Sequence, residues 1–245
     1  MAKEIRRFAV FDIDGTLIRW QLYHAIVDSL AKLGHADPKK HQIIREARMR
    51  WKRRKGNSSF KSYEEQLIAV YEQILAGLTF EQFEEATSQV FTEYKEQVYT
   101  YTRELVSDLK KKGYLLFAIS GSQAEIVSKI ARHYGFDEFV GTIYERGESG
   151  FTGSKTIGSA DKSKTLRALI EKRSASLRGS IAVGDSASDI SMLELVEKAV
   201  AFNPERALFE HALRKGWKVV VERKNVIYVL EKHDGRYQLV KTSTQ

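Results

Sequence analysis

The chain has 245 residues, 42% of them hydrophobic and 29% charged, with no cysteine and a formal charge of +8 at pH 7. Such a composition suits a folded protein with a buried core and leaves room for one large domain or two modest ones. The lack of cysteine excludes disulfides and thiolate metal sites, so any metal must be held by oxygen or imidazole, while the positive balance favours anionic partners without choosing among phosphorylated metabolites, acidic lipids and nucleic acid.

Behind the basic N-terminus, Met1 to Arg7, the apolar run Phe8-Ala9-Val10-Phe11 ends at Asp12. It is too short for a signal peptide or a membrane span, and no later stretch is long enough to cross a bilayer, which reads as a soluble, cytoplasmic protein. The run itself reads as a buried strand whose C-terminal end opens into a site. From Arg19 to about Thr102 strand-like runs disappear and amphipathic helical stretches follow one another, with helix starts at Asp37-Pro38 and at Thr79-Phe80-Glu81-Gln82. This pattern predicts an inserted domain of roughly four helices. Within it Phe80, Phe83, Phe91 and Tyr94 recur at helical spacing and read as core.

Strand-like runs resume at Tyr114 to Ile119, Ser180 to Val183, Ala199 to Phe202 and Trp217 to Val221. Their alternation with helical segments predicts an α/β fold built on a doubly wound, parallel, Rossmann-like sheet. Helix punctuation agrees: Gly113 and Gly135 mark helix ends, Ser122-Gln123-Ala124-Glu125 reads as a capping box, and Pro204 reads as a first helical turn. The glycine-rich segment from about Phe139 to Ser159 alternates like a hairpin or two, and Asp234-Gly235 is a tight hairpin signal near the C-terminus.

Four segments carry candidate chemistry. Asp12-Ile13-Asp14-Gly15-Thr16 sets two acids two residues apart at a strand end, with a glycine that lets the chain turn. Alone, it also fits a strand followed by an acidic turn. Gly184-Asp185-Ser186-Ala187-Ser188-Asp189 adds a second acid pair after another buried run, where Asp189 also fits a helix cap. Acids from two strand ends suit a hard cation such as magnesium, which commonly takes one or two carboxylates plus substrate phosphate. Ser120-Gly121-Ser122 leads from a strand into a helix N-terminus that favours anions, although such a triplet is also a common turn. Lys162 opens a further helix and, read alone, is an ordinary solvated lysine. The six histidines are scattered without metal-ligand spacing and read as structural or surface residues.

In this order, each after its expected strand, these segments resemble the haloacid dehalogenase superfamily of phosphohydrolases, and the helical insertion resembles the cap of its phosphoserine-phosphatase-like branch, subfamily IB. The resemblance implies a core of residues 1–18 and 103–245 with an all-helical cap domain over 19–102. It further implies a Mg2+-dependent phosphatase that acts on the phosphate monoester of a small metabolite through a covalent aspartyl-phosphate. Asp12 would be the nucleophile, Asp14 the acid/base, Ser120 and Gly121 phosphoryl ligands, and Lys162 the charge-neutralising lysine, chosen over Lys164 for its spacing to Leu166. Ser188 joins Gly121 as a substrate-binding candidate. The metal set is Asp12, Asp14 through its backbone carbonyl, Asp185, and Asp189 on the water shell or the neighbouring loop. Every motif residue is present, which argues against a degenerate binding module. A phosphotransferase would use the same intermediate. A receiver phosphorylated on aspartate also combines a parallel sheet, acids and a lysine, but its phosphoacceptor lies on a middle strand and it lacks a helical insertion of this size.

The cap departs from phosphoserine phosphatases. Gln21 stands where they carry a glutamate for the amino group, and the position of their carboxylate-binding arginine falls near Glu65, so phosphoserine is not the expected substrate. Lys39 to Lys55 is strongly basic, with Ile44, Ala47 and Trp51 on one helical face. It reads as a cap helix with a solvated basic side, or as a membrane surface contact that would make the protein a lipid-phosphate phosphatase. No recognition motif accompanies the charge, so no specific nucleic-acid partner is expected.

Overall fold

A computed structural model of the chain describes residues 6–53 and 60–244, with the side chains of 60 and 61 left aside. Residues 1–5 of the basic N-terminus and Arg54 and Lys55 of the basic segment therefore lie outside the described residues. The first apolar run forms β1 (Arg7–Phe11), and the later ones form β2 (Leu115–Gln123), β5 (Ser176–Gly184), β6 (Lys198–Phe202) and β7 (Lys218–Arg223). Two hairpins contribute β3 (Glu138–Arg146) with β4 (Phe151–Ile157), and β8 (Val226–His233) with β9 (Arg236–Thr244). All belong to one sheet of order β4-β3-β2-β1-β5-β6-β7-β8-β9. Every pair from β3 across to β7 is parallel, whereas β4 on one side and β8 and β9 on the other are antiparallel. At the C-terminal hairpin both turn residues have positive φ, Asp234 at 49° and Gly235 at 79°, as a two-residue turn between twisted strands requires.

Side chains of β1 alternate between two cores, as a strand covered on both faces must. Phe8 and Val10 pack with Leu166, Met192 and Leu208, whereas Ala9 and Phe11 pack with Val106, Leu109, Ile126 and Ile130. Helices α7 (Lys162–Arg173), α8 (Ile190–Leu193) and α9 (Arg206–Lys215) thus cover one face, and α5 (Thr100–Lys111) with α6 (Ala124–Tyr134) the other. The sheet is doubly wound, as the alternation predicts.

Two punctuation signals act differently from expectation. Ser122 forms no capping box: β2 runs on to Gln123, which precedes α6 without a side-chain cap, and the Ser122 hydroxyl donates instead to Asp14. Pro204 does not lie in a helical turn, because α9 starts at Arg206 with Glu205 as its N-cap.

Four helices occupy the insertion: α1 (Leu22–Lys32), α2 (Pro38–Lys52), α3 (Phe60–Leu75) and α4 (Phe80–Tyr94). Asp37 caps α2 by accepting from Lys39 N, and Thr79 with Gln82 closes a capping box on α4. The chain leaves and returns side by side, with Arg19 N donating to Gln97 O and Tyr99 N to Leu17 O. Buried Glu222 of β7 clamps this junction, accepting from Thr100 N and Tyr101 N and pairing with the Arg19 guanidinium. Two free N–H groups at the start of α5 are thereby satisfied by a carboxylate on a core strand. On α2, Ile44 and Ala47 are buried, and Trp51 stacks on Tyr63 of α3 with centroids 5.5 Å apart, which turns the aromatic ring toward α3. Among the described residues no helix is long and apolar enough to cross a membrane.

Candidate active site

Strand register decides which residues meet. Phe11 lies opposite Ala118 of β2 and Val183 of β5, so Asp12, the 120–122 segment and Asp185 emerge along one edge of the sheet. A cavity of about 510 Å³ opens there, between the strand ends and the insertion. Asp12, Asp14, Gly121, Ser122, Lys162, Asp185 and Ser188 line it, together with Gln21, Tyr23, Glu64, Thr142, Tyr144 and Lys155.

At its floor Lys162 is 2% exposed and donates to Asp12 Oδ1 and to Asp189 Oδ1, both at 2.6 Å. Asp161 places it there by capping α7, accepting from Ser163 N and Lys164 N, so that Lys162 and Leu166 share the buried side of the helix while Lys164 is exposed. Burial opposes the lysine's charge, but the two carboxylates outweigh that effect and raise its pKa. Asp189 uses its other oxygen on the neighbouring loop, accepting from Asp185 N and Ser186 N at 3.0 Å each. Ser188 is exposed and pairs with the Ser186 hydroxyl at 2.8 Å.

Ligand atoms of Asp12, Asp185 and Asp189 lie within 4.8 Å of one another. Burial, then the charge of the neighbouring acids, raises the pKa of Asp12 and of Asp185 against the opposing effect of Lys162. One lysine does not balance three clustered carboxylates, and their oxygens are hard donors, so the residues fit a divalent cation. The Asp14 carboxylate stands apart from this cluster. Its Oδ1 accepts from Leu22 N at 2.7 Å and from the Ser122 hydroxyl at 3.1 Å, and its Oδ2 accepts from the Ser120 hydroxyl at 2.8 Å. Only its backbone carbonyl is then left for a metal. Ser120 itself is fully buried behind Asp14 and does not line the cavity, whereas Gly121 and Ser122 do.

Gly15 makes the close approach of the two acidic loops possible. Its φ is +79°, and a Cβ there would run into the Asp185 carboxylate. Gly15→Ala is therefore expected to lower stability by about 1–3 kcal/mol and to displace Asp185, with kcat/KM falling at least about tenfold. Urea denaturation and steady-state kinetics read the two effects separately.

Sequence reasoning placed the outer wall less well. Glu65, next to the expected arginine position, is exposed, whereas Glu64 faces the cavity. Glu64, Ile68 and Glu72 follow one another at four-residue spacing along α3, a helical phase that was available in the sequence. Burial pushes the Glu64 carboxyl up to about 7, aided by the negative charges of Asp14 and Glu205 and opposed by Lys162. Glu72 pairs with Lys155 and accepts from Tyr144 OH at 3.0 Å, which ties α3 to the β3–β4 hairpin. Tyr23 OH and Thr142 Oγ1 both donate to the carbonyl of Gly121, at 3.1 and 2.7 Å.

The chain is 26% identical to the phosphoserine phosphatase of Archaeoglobus fulgidus over 206 residues, covering 83% of this chain and 54% of that protein. It is 26% identical to the histidinol-phosphatase of Neisseria meningitidis serogroup C, covering 88% and 99% respectively. A solved phosphoserine phosphatase carrying an analogue of the phospho-aspartyl intermediate superposes with a TM-score of 0.63 at 21% identity, over 90% of this chain and 95% of that one. The chain spans about half the length of the first curated relatives it matches. The family model for haloacid dehalogenase-like hydrolases matches residues 9–194, and the chain belongs to that family.

Proposed function

We propose that this chain is a Mg2+-dependent phosphatase that hydrolyses the phosphate monoester of a small, dissolved metabolite through a phosphoryl group held on Asp12. The observation that carries this reading is the floor of the cavity, where Asp12, Asp185 and Asp189 surround Lys162 at the end of β1. Asp12 and Asp185, with the Asp14 carbonyl, would hold magnesium. Bound there, the ion supplies charge neutralisation to the incoming phosphate.

Lys162 holds Asp12 Oδ1 in place, and among the described residues Oδ2 accepts no hydrogen bond and is free to attack phosphorus. As the Asp12 O–P bond forms, the ester P–O bond breaks, and Asp14 delivers a proton to the departing alkoxide. Asp14 must first give up one of the hydrogen bonds it accepts from Ser120, Ser122 and Leu22 N. A water then attacks phosphorus, Asp14 takes its proton, and the bond to Asp12 breaks to release inorganic phosphate. The ammonium of Lys162 offsets the repulsion between the Asp12 carboxylate and the phosphate throughout.

Residues 19–102 act in this reading as the cap that chooses the substrate, over a core of 1–18 and 103–245. The phosphoserine phosphatases and the histidinol-phosphatase among the relatives support a small phosphorylated metabolite. Steady release of inorganic phosphate from 4-nitrophenyl phosphate, dependent on magnesium and stopped by EDTA, is the expected result. Beryllium fluoride with magnesium should occupy the place of the phosphoryl group on Asp12 and block turnover. Activity indifferent to both reagents would count against the mechanism.

A further inference from the structure

We propose that Glu64 makes the cavity selective for phosphate esters whose alcohol part bears a cationic amine and no carboxylate, an inference that rests on the phosphatase reading above. The argument starts from charge. The protein carries +8 overall, yet among the described residues its cavity is lined by the acids Asp12, Asp14, Glu64, Asp185 and Glu205 against the two bases Lys155 and Lys162. Both lysines are committed, Lys162 to Asp12 and Asp189, and Lys155 to Glu72. Of the acids, Asp12 and Asp185 belong to the cation cluster, Asp14 accepts three hydrogen bonds, and Glu205 accepts from Ala187 N at 2.6 Å.

Among the described acids of the wall, Glu64 is left over. Among the described residues nothing donates to its carboxylate and no cation pairs with it, although burial and the neighbouring acids Asp14, Glu205 and Glu65 already raise its pKa. An unpaired, half-buried carboxylate over a substrate site is unfavourable until a ligand brings the opposite charge. Its surroundings suit an amine: Ile68 and Ile157 line the same cavity beside Tyr23 and Tyr144, offering apolar surface to the carbon chain of an amino alcohol and aromatic faces to its ammonium. A substrate carboxylate would instead meet Glu64 with no uncommitted cation in the described wall to offset it. The same residue thus attracts one class of ester and repels the other.

The test compares kcat/KM for O-phosphoethanolamine, histidinol phosphate, phosphoserine and the amine-free glycerol 3-phosphate, with magnesium, in the full chain and in Glu64→Gln. The better of the two amino-alcohol esters should exceed glycerol 3-phosphate by about tenfold or more, and phosphoserine should fall below it. In Glu64→Gln the preference for the amine should shrink about tenfold. That preference is a ratio within one protein sample, so it does not depend on how much of the variant folds. Phosphoserine turned over faster than both amino-alcohol esters, or an amine preference unaltered in Glu64→Gln, overturns the proposal. If all four esters and 4-nitrophenyl phosphate resist hydrolysis, the aspartyl-phosphate reading has failed by itself. Thermal shift then judges Glu64: histidinol with inorganic phosphate should stabilise the wild-type chain more than glycerol with phosphate does, and equal shifts overturn the selectivity.

Discussion

Asp12→Asn is expected to fold normally and to lose turnover by a factor on the order of 10⁴–10⁶, the scale seen when a covalent nucleophile is removed. The amide has nearly the shape of the carboxylate and keeps an oxygen that accepts from Lys162, so the floor of the cavity retains its main contact. It also removes one negative charge from a cluster in which Asp12, Asp185 and Asp189 repel one another, so the melting temperature should hold or rise. What the amide lacks is nucleophilicity toward phosphorus. Phosphate release within about tenfold of wild type, in a variant freed of contaminating phosphatase, would end the case for an aspartyl-phosphate; such a result lies far outside the expected range.

Lys162→Met should damage both stability and catalysis. The lysine is buried between two carboxylates at 2.6 Å each, and a thioether of similar length leaves those carboxylates facing one another without a counter-charge. Removing one partner of such a buried group costs about 3–5 kcal/mol. Without the ammonium the attacking carboxylate also meets the full repulsion of the phosphate, with an expected loss of about 10³ in kcat. Urea denaturation without added divalent ions measures the first effect, and phosphate release with saturating magnesium the second. Lys164→Met, two residues on and exposed, is the control and should change neither. A Lys162→Met protein as stable and as active as wild type would remove the lysine from the mechanism.

The floor of the site was legible because its chemistry is local in sequence. Asp12 and Asp185 each close an apolar run, and parallel strands present their C-terminal ends along one edge, so the runs place these two acids together, while the roles of the floor residues came from the family resemblance. Lys162 was singled out by the family resemblance, and preferred to Lys164 by its spacing to Leu166, which packs in the core. What escaped depends on contacts between distant segments. Ser122 looks locally like a helix cap, but its hydroxyl finds Asp14, 108 residues earlier, which competes successfully with the backbone of α6. Ser120 is drawn behind the same carboxylate, 106 residues away. The choice between Glu64 and Glu65 is a matter of 100° around a helix, and the direction in which α3 faces is set by packing on α1 and α2 that no short window records. The two hairpins were visible as hairpins, but their addition to the edges of one continuous sheet required knowing which strands lay outermost.

The clamp at Glu222 bears on how such a protein can be altered. One carboxylate on a core strand gathers the outgoing chain through Arg19 and the returning chain through Thr100 and Tyr101. The insertion is therefore anchored at a seam, apart from the reacting groups. Helices between the two anchors could be exchanged for others of different length, and among the described residues the reaction centre would feel the change through Leu22 N and the wall residues, so long as the seam was transplanted intact. A graft that kept the motifs but discarded Arg19 would leave Glu222 short of its cation, and would fail first at the joint.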